Sequence, residues 1–224
     1  MNKLMLSLLF ISIWLPKTVY ANDDRKCLFA SPLVLGASVS KGYGAPKGGP
    51  SSIVSRMLNP DAQILNLAVS GASSVQSTKN HQVPKPPPSI VLAFDLFFWD
   101  TAKNACGEEF AANTARLINM YKELGIPVVL GKIPVGVRFP MGVKAAGSRP
   151  CTPVINNLLA ELCKEENNCF IYDPKDCLDA MLEPISPEGV PYFYDALHTS
   201  DEGNLFCAHH FINSKKYQEY RCAE

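Results

Sequence analysis

With 224 residues, 47% of them hydrophobic, the chain is long enough for one domain with a real core and is too apolar to be disordered. Lysine plus arginine and aspartate plus glutamate number 21 each, so the formal charge is zero. That balance gives no global electrostatic basis for binding nucleic acid or an anionic membrane, and no basic run appears along the chain.

The N-terminus reads as a secretion signal. Lys3 supplies a positive start, Leu4 to Leu15 is almost wholly apolar, and Val19-Tyr20-Ala21 ends in a small residue suited to signal peptidase. This apolar core falls short of the about 20 residues that span a bilayer, and no later segment is long and apolar enough to do so. Residues 1–21 are expected to be removed, leaving a single secreted or periplasmic domain over 22–224. Cysteines stand at 27, 106, 151, 163, 169, 177, 207 and 222 with no C-x-x-C, which argues for oxidised pairs rather than zinc. Proximity suggests Cys163–Cys169 closing a helix-to-strand loop and Cys27–Cys222 tying the termini.

In chain order, Leu33 to Gly36 reads as a short buried strand that delivers Ser38 onto a small-residue turn rich in glycine. Gly48 to Leu58 suits a helix capped by Ser51 and Ser52, ended at Asn59-Pro60. Gln63 to Leu67 is a second strand running into the turn Ala68 to Ser74. The proline-rich stretch from His81 to Pro88 is a connector, with His81 expected in solvent. Ser89 to Asp95 is an unbroken apolar run of the kind found in central parallel strands. Glu108 to Leu124 has helical spacing and stops at Gly125, and Ile126 to Ile133 is a further strand. Pro134 to Pro153 reads as a long irregular crossover, Val154 to Glu166 as a helix and Cys169 to Tyr172 as the last strand. A closing helix runs from Asp201 to Asn213 behind a cap at Ser200 or Asp201. Strand, turn and helix repeated in this way predict a three-layer α/β/α sandwich of about five parallel strands. The turns after Gly36, Leu67 and Asp95 then emerge on one rim, beyond the carboxyl ends of the strands.

A serine hydroxyl needs a base, commonly a histidine steered by a carboxylate. His209 and His210 are adjacent in a helix and point apart. His198 lies in a loop with Asp195 three residues upstream, close enough for the carboxylate to fix its tautomer. Taken alone, D-x-x-H suits a helix entry equally well. A phosphate-loop reading of Ser40-Lys41-Gly42 fails, because the order does not match G-x-x-x-x-G-K-[ST]. Phe97, Phe98 and Trp99 suit either an acyl or sugar subsite or plain packing.

In combination these blocks resemble the SGNH hydrolases, also called the GDSL lipase/esterase family. Gly36-Ala37-Ser38-Val39-Ser40-Lys41-Gly42 is similar to the family's G-D-S-x-x-x-G block, Asn66 to Gly71 to its second block, and Asp195-Ala196-Leu197-His198 to its D-x-x-H block. They occur in the family's order over almost the whole mature chain. The resemblance implies a flavodoxin-like SGNH fold and a serine esterase without a cofactor, acting on a small acyl ester. Ser38 would be the nucleophile, His198 the base and Asp195 its orienting carboxylate, with the N–H groups of Ser38 and Gly71 binding the oxyanion. Two positions depart from the pattern. Ala37 replaces the aspartate of the first block, and Asp95 takes the place of the oxyanion-hole asparagine if Ala93 matches the glycine of G-x-N-D. An ionised carboxylate there would repel an oxyanion, so Asp95 is protonated, or points away, or the register shifts to Phe94. Asn66 and Asn113 are alternative donors. Acyl transfer to a glycan by the same triad, or a binding module that has lost turnover, are the alternative functions.

Overall fold

The computed structural model describes residues 26–138, 141–164, 168–181, 185–186 and 189–214. The expected signal sequence and Cys222 lie outside them. Five parallel strands are formed by Pro32–Val34 (β1), Leu65–Asn66 (β2), Ile90–Ala93 (β3), Val128–Gly131 (β4) and Cys169–Tyr172 (β5). They lie in the order β2-β1-β3-β4-β5, the doubly wound arrangement with its switch point between β1 and β3. The α/β/α sandwich with five parallel strands is therefore as expected.

Alternation along the strands divides the core into two layers. Val91 and Ala93 of β3, with Val128 and Leu130 of β4, face Phe110, Leu117 and Tyr121 of Glu108–Lys122 (α5) and Ile155 and Leu159 of Cys151–Leu162 (α7). Ile90 and Leu92 of β3, with Val129 of β4, face Ile53, Val54 and Leu58 of Pro50–Leu58 (α2) and Ala208, Phe211 and Ile212 of Asp201–Ile212 (α9). Helices α2 and α9 therefore share one face, although about 150 residues separate them in the chain.

Short helices fill the connections: Ser38–Lys41 (α1), Ser74–Thr78 (α3), Phe98–Ala102 (α4), Met141–Gly147 (α6) and Lys175–Ala180 (α8). Several boundaries differ from expectation for identifiable reasons. Helix α2 begins at Pro50, whose missing N–H suits a first helical position, so Ser51 and Ser52 are buried inside the helix rather than capping it. The stretch after Pro134 is not irregular throughout, because it holds α6 and the first residues of α7. Pro153 is tolerated there, since the first turn of a helix needs no intrahelical N–H partner. His81 is half-buried with its ring nitrogen on the Tyr121 hydroxyl, and burial, then the Arg116 charge, lowers its pKa. Disulfides join Cys106–Cys151, Cys163–Cys169 and Cys177–Cys207, the second as expected.

Candidate active site

The chain leaves β1 through Gly36 and turns at once into α1, which carries Ser38 at its first position. A side chain at Gly36 would put its Cβ 2.2 Å from Asp95 Oδ1, so only glycine lets that carboxylate approach. Asp95, just past β3, lies across the switch point beneath this turn. Its Oδ1 accepts the Ala37 N–H (2.9 Å), and its Oδ2 accepts those of Val39 (2.9 Å) and Ser40 (3.2 Å). Burial raises its pKa against the opposing effect of these hydrogen bonds. Matching Ala93 to the glycine of G-x-N-D put Asp95 in the asparagine's place, either protonated or pointing away; here its carboxylate accepts hydrogen bonds and holds the Ser38 turn. The same arrangement accounts for Ala37, since the turn's N–H groups already have a carboxylate.

Neither asparagine considered as a substitute is free for that task. Asn66 Nδ2 donates to the Ser40 carbonyl (2.9 Å) and Asn113 Nδ2 to Thr78 Oγ1 (2.7 Å). The loop after β2 is held beside the Ser38 turn by the Val69 N–H on the Gly36 carbonyl (2.9 Å). Gly71 turns it with φ +73°, in the left-handed region that favours glycine. Among the described residues neither the Ser38 nor the Gly71 N–H has an acceptor. Helix α4 grips the same loop from behind. Asp100 accepts the Ser74 N–H (2.8 Å) and hydroxyl (3.1 Å), and Lys103 Nζ donates to the Gly71 carbonyl (2.9 Å) and to Gln76 Oε1 (2.9 Å). Asp100 is fully buried, which raises its pKa to about 6 despite the bonds from Ser74.

Asp195 and His198 come from a tight turn shaped by the aspartate itself. Asp195 Oδ1 accepts the N–H groups of Leu197 (2.8 Å) and His198 (2.7 Å), a local closure that aspartate side chains favour. An antiparallel bridge between Phe193 and Thr199 and the Tyr194 N–H on the His198 carbonyl (2.8 Å) fix the turn's base. The His198 ring then lies with Nδ1 2.8 Å from Asp195 Oδ2 and Nε2 2.8 Å from Ser38 Oγ. Burial pushes the Asp195 pKa up, but the bonds from the His198 ring and from the two N–H groups more than offset this and hold it below the ordinary carboxylate range. Pairing of α2 with α9 brings the two segments together. Asp201 at the start of α9 accepts the Lys47 N–H (2.8 Å), and Asn204 donates to the Gly48 carbonyl (3.2 Å). An imidazole bonded on one side to a carboxylate and on the other to a hydroxyl can take the hydroxyl proton as the oxygen attacks.

Tyr43, half exposed, lays its ring 4.5 Å from the imidazole centroid, and its N–H donates to the Ser38 carbonyl (2.9 Å). Beside Ser38 lies an apolar cavity of about 100 Å³. Of the three aromatic residues after β3, Phe98 lines this cavity, Phe97 is buried against Phe110, and Trp99 packs edge-on to Phe98. Sequence reasoning missed Lys103 and Asp100, whose partners are backbone and side-chain groups of the Gly71 loop and α3, and Tyr43, which carries no motif. Among the described residues no group of three or more histidine, cysteine, aspartate or glutamate side chains is placed to hold a metal.

Neither a protein-family model nor a curated protein matches the sequence. Solved structures do match. The esterase EstA from Pseudoalteromonas sp., in a structure inhibited by monoethylphosphonate, superposes with a TM-score of 0.58 at 14% identity, over 85% of this chain and 100% of that one. A protein described as lipolytic and of the G-D-S-L family, from Desulfitobacterium hafniense, gives 0.57 at 15% identity, over 81% and 97%. The acetylxylan esterase Axe2 from Geobacillus stearothermophilus gives 0.53 at 16% identity, over 82% and 92%. At such identities the likeness carries the fold: the chain has the α/β/α architecture of these esterases.

Proposed function

We propose that the chain is a serine esterase that cleaves an acyl ester through an acyl-enzyme on Ser38, working outside the cytoplasm as a single domain over 22–224 after loss of residues 1–21. The observation that carries this reading is the unbroken line of hydrogen bonds from Asp195 through His198 to Ser38, across 160 positions of sequence. In this mechanism Ser38 Oγ attacks the acyl carbonyl while His198 Nε2 takes its proton. Asp195 steadies the imidazolium, and the Ser38 and Gly71 N–H groups receive the developing oxyanion. His198 then returns the proton to the departing alcohol. Water, activated by the same nitrogen, releases the acid and restores the serine.

With Asp95 occupied by the nucleophile's turn, the oxyanion site would consist of backbone donors. The three disulfides among the described residues fit an oxidising compartment, and no described helix is long and apolar enough to cross a membrane. The fold shared with EstA and Axe2 supports ester hydrolysis by analogy. The test is labelling of the oxidised protein with a fluorophosphonate probe. Wild type is expected to be modified at Ser38 and to hydrolyse p-nitrophenyl esters, and Ser38→Ala to do neither. Labelling that survives the substitution, or none in folded protein, overturns the reading.

A further inference from the structure

The cavity beside Ser38 has a shape and lining that select the acyl group. We propose that the acyl group carried by Ser38 is an unsubstituted aliphatic chain of about four to six carbons rather than acetyl. This rests on the serine esterase reading above and specifies its substrate.

The space adjoins Ser38, which lies on its wall together with Val39 and with Leu197, the residue before His198. It runs beyond the carboxyl ends of β3 and β4, past Phe94 and Ile133, to Val143 of α6 and Leu178 of α8. Val143, Leu178 and Val137 form one apolar cluster, packed with Phe98 and Leu197, and its Val143 and Leu178 side chains border the space. An apolar cavity of about 150 Å³ takes a six-carbon ring. The about 100 Å³ here therefore accommodates about four carbons beyond the carbonyl, which must stay at Ser38. An acetyl group would leave most of that volume empty.

Most of the polar groups on the wall are turned to other partners. Asp95 receives three N–H groups, Lys132 pairs with Asp173 at 4.0 Å, and the Thr199 hydroxyl bonds Asn204. The Tyr172 hydroxyl has less than 1 Å² accessible and is closed off from the space. Away from Lys132, a hydroxyl or charge on the chain would thus be desolvated without a partner, which disfavours substituted acyl groups. The acyl half, not the alcohol, belongs here. It stays covalently held through the reaction, whereas the alcohol oxygen must reach His198 and leave past the exposed ring of Tyr43.

The test holds the alcohol constant and varies the acid. With p-nitrophenyl esters from acetate to decanoate, kcat/KM is expected to rise about fourfold per methylene up to pentanoate or hexanoate and then to fall. Val143→Phe and Leu178→Phe, which fill the far end, should each move the optimum toward acetate while Ser38 still reacts with a small phosphonofluoridate. An acetate optimum in wild type overturns the proposal without reference to any variant. So does dependence on alcohol length at constant acyl group, or a series unchanged in the folded variants. Absence of any Ser38-dependent hydrolysis or labelling instead strikes the esterase reading and takes this proposal with it.

Discussion

Asp195 carries two tasks with one carboxylate: it closes its own turn through two N–H groups and it holds the imidazole. Asparagine could keep part of the turn but would present either an amide N–H or a neutral oxygen to Nδ1, so the imidazolium would lose its counter-charge. Asp195→Asn is expected to lower kcat on the order of 10⁴-fold with little change in KM, measured on the best p-nitrophenyl ester. Stability adds a second readout whose sign follows from linkage. A carboxylate whose folded pKa lies below its unfolded value of 3.8 stabilises the fold above that pH and ceases to do so as pH falls through the folded value. The gap in urea midpoint between wild type and Asp195→Asn should therefore be open at pH 7 and close below about pH 4. A gap that persists at pH 2 would show that the charge is not what the substitution removed.

At the level of elements, α4 connects the Ser38 turn with the Gly71 loop. It starts three residues past Asp95, which braces the Ser38 turn, and its own Asp100 and Lys103 brace the Gly71 loop. Asp100 is the costly part of this arrangement. Its folded pKa of about 6 against 3.8 unfolded means the fold prefers the protonated acid, so its contribution to stability is present below pH 4 and is lost as pH rises toward 6. Asparagine can accept the Ser74 N–H and donate to the Ser74 hydroxyl, as the neutral acid does. Asp100→Asn should match wild type in urea denaturation at pH 4 and exceed it by up to about 3 kcal/mol at pH 7.5. A variant less stable than wild type at pH 7.5 would mean that the charge, set near Lys103, is itself stabilising.

This connection was not legible in the sequence, for a physical reason. Helices α3, α4 and α8 have five, five and six residues, too few for a hydrophobic period, and α3 is held instead by its local Ser73–Gln76 capping box and by the tertiary tie of Asp100 to Ser74. The strands were legible because Ile90 to Ala93 and Val128 to Leu130 are buried on both faces and leave unbroken apolar runs. Ser38, Asp195 and His198 stood out only through the resemblance of their blocks, taken together and in order, to the SGNH hydrolases. What Asp95 does could not be read, because its partners are backbone N–H groups, which every residue but proline has.

Across the whole molecule, the two halves of the sheet have different work. The β1–β3 half presents the Ser38 turn and the Gly71 loop and gives Ser38, Val39, Phe94 and Phe98 to the cavity wall, while the β4–β5 half and the segments after it supply most of the rest of that wall. The three bridges described all lie in residues 106–207. Two of them close loops of similar size, with sequence separations of 45 and 30, so chain entropy assigns each about 4 kcal/mol. Their places differ. Cys106–Cys151 ties the segment before α5 to the start of α7, whereas Cys177–Cys207 ties α8 to α9, next to Leu178, and Cys207 itself lines the cavity. Replacing either pair by alanine should lower stability in urea by about 2–4 kcal/mol. Only loss of Cys177–Cys207 should flatten the dependence of kcat/KM on acyl length, because it frees the wall that Leu178 forms. Loss of Cys106–Cys151 should leave that dependence intact in protein that remains folded. Equal flattening in the two variants would mean that general loosening, not the position of α8, sets the acyl preference.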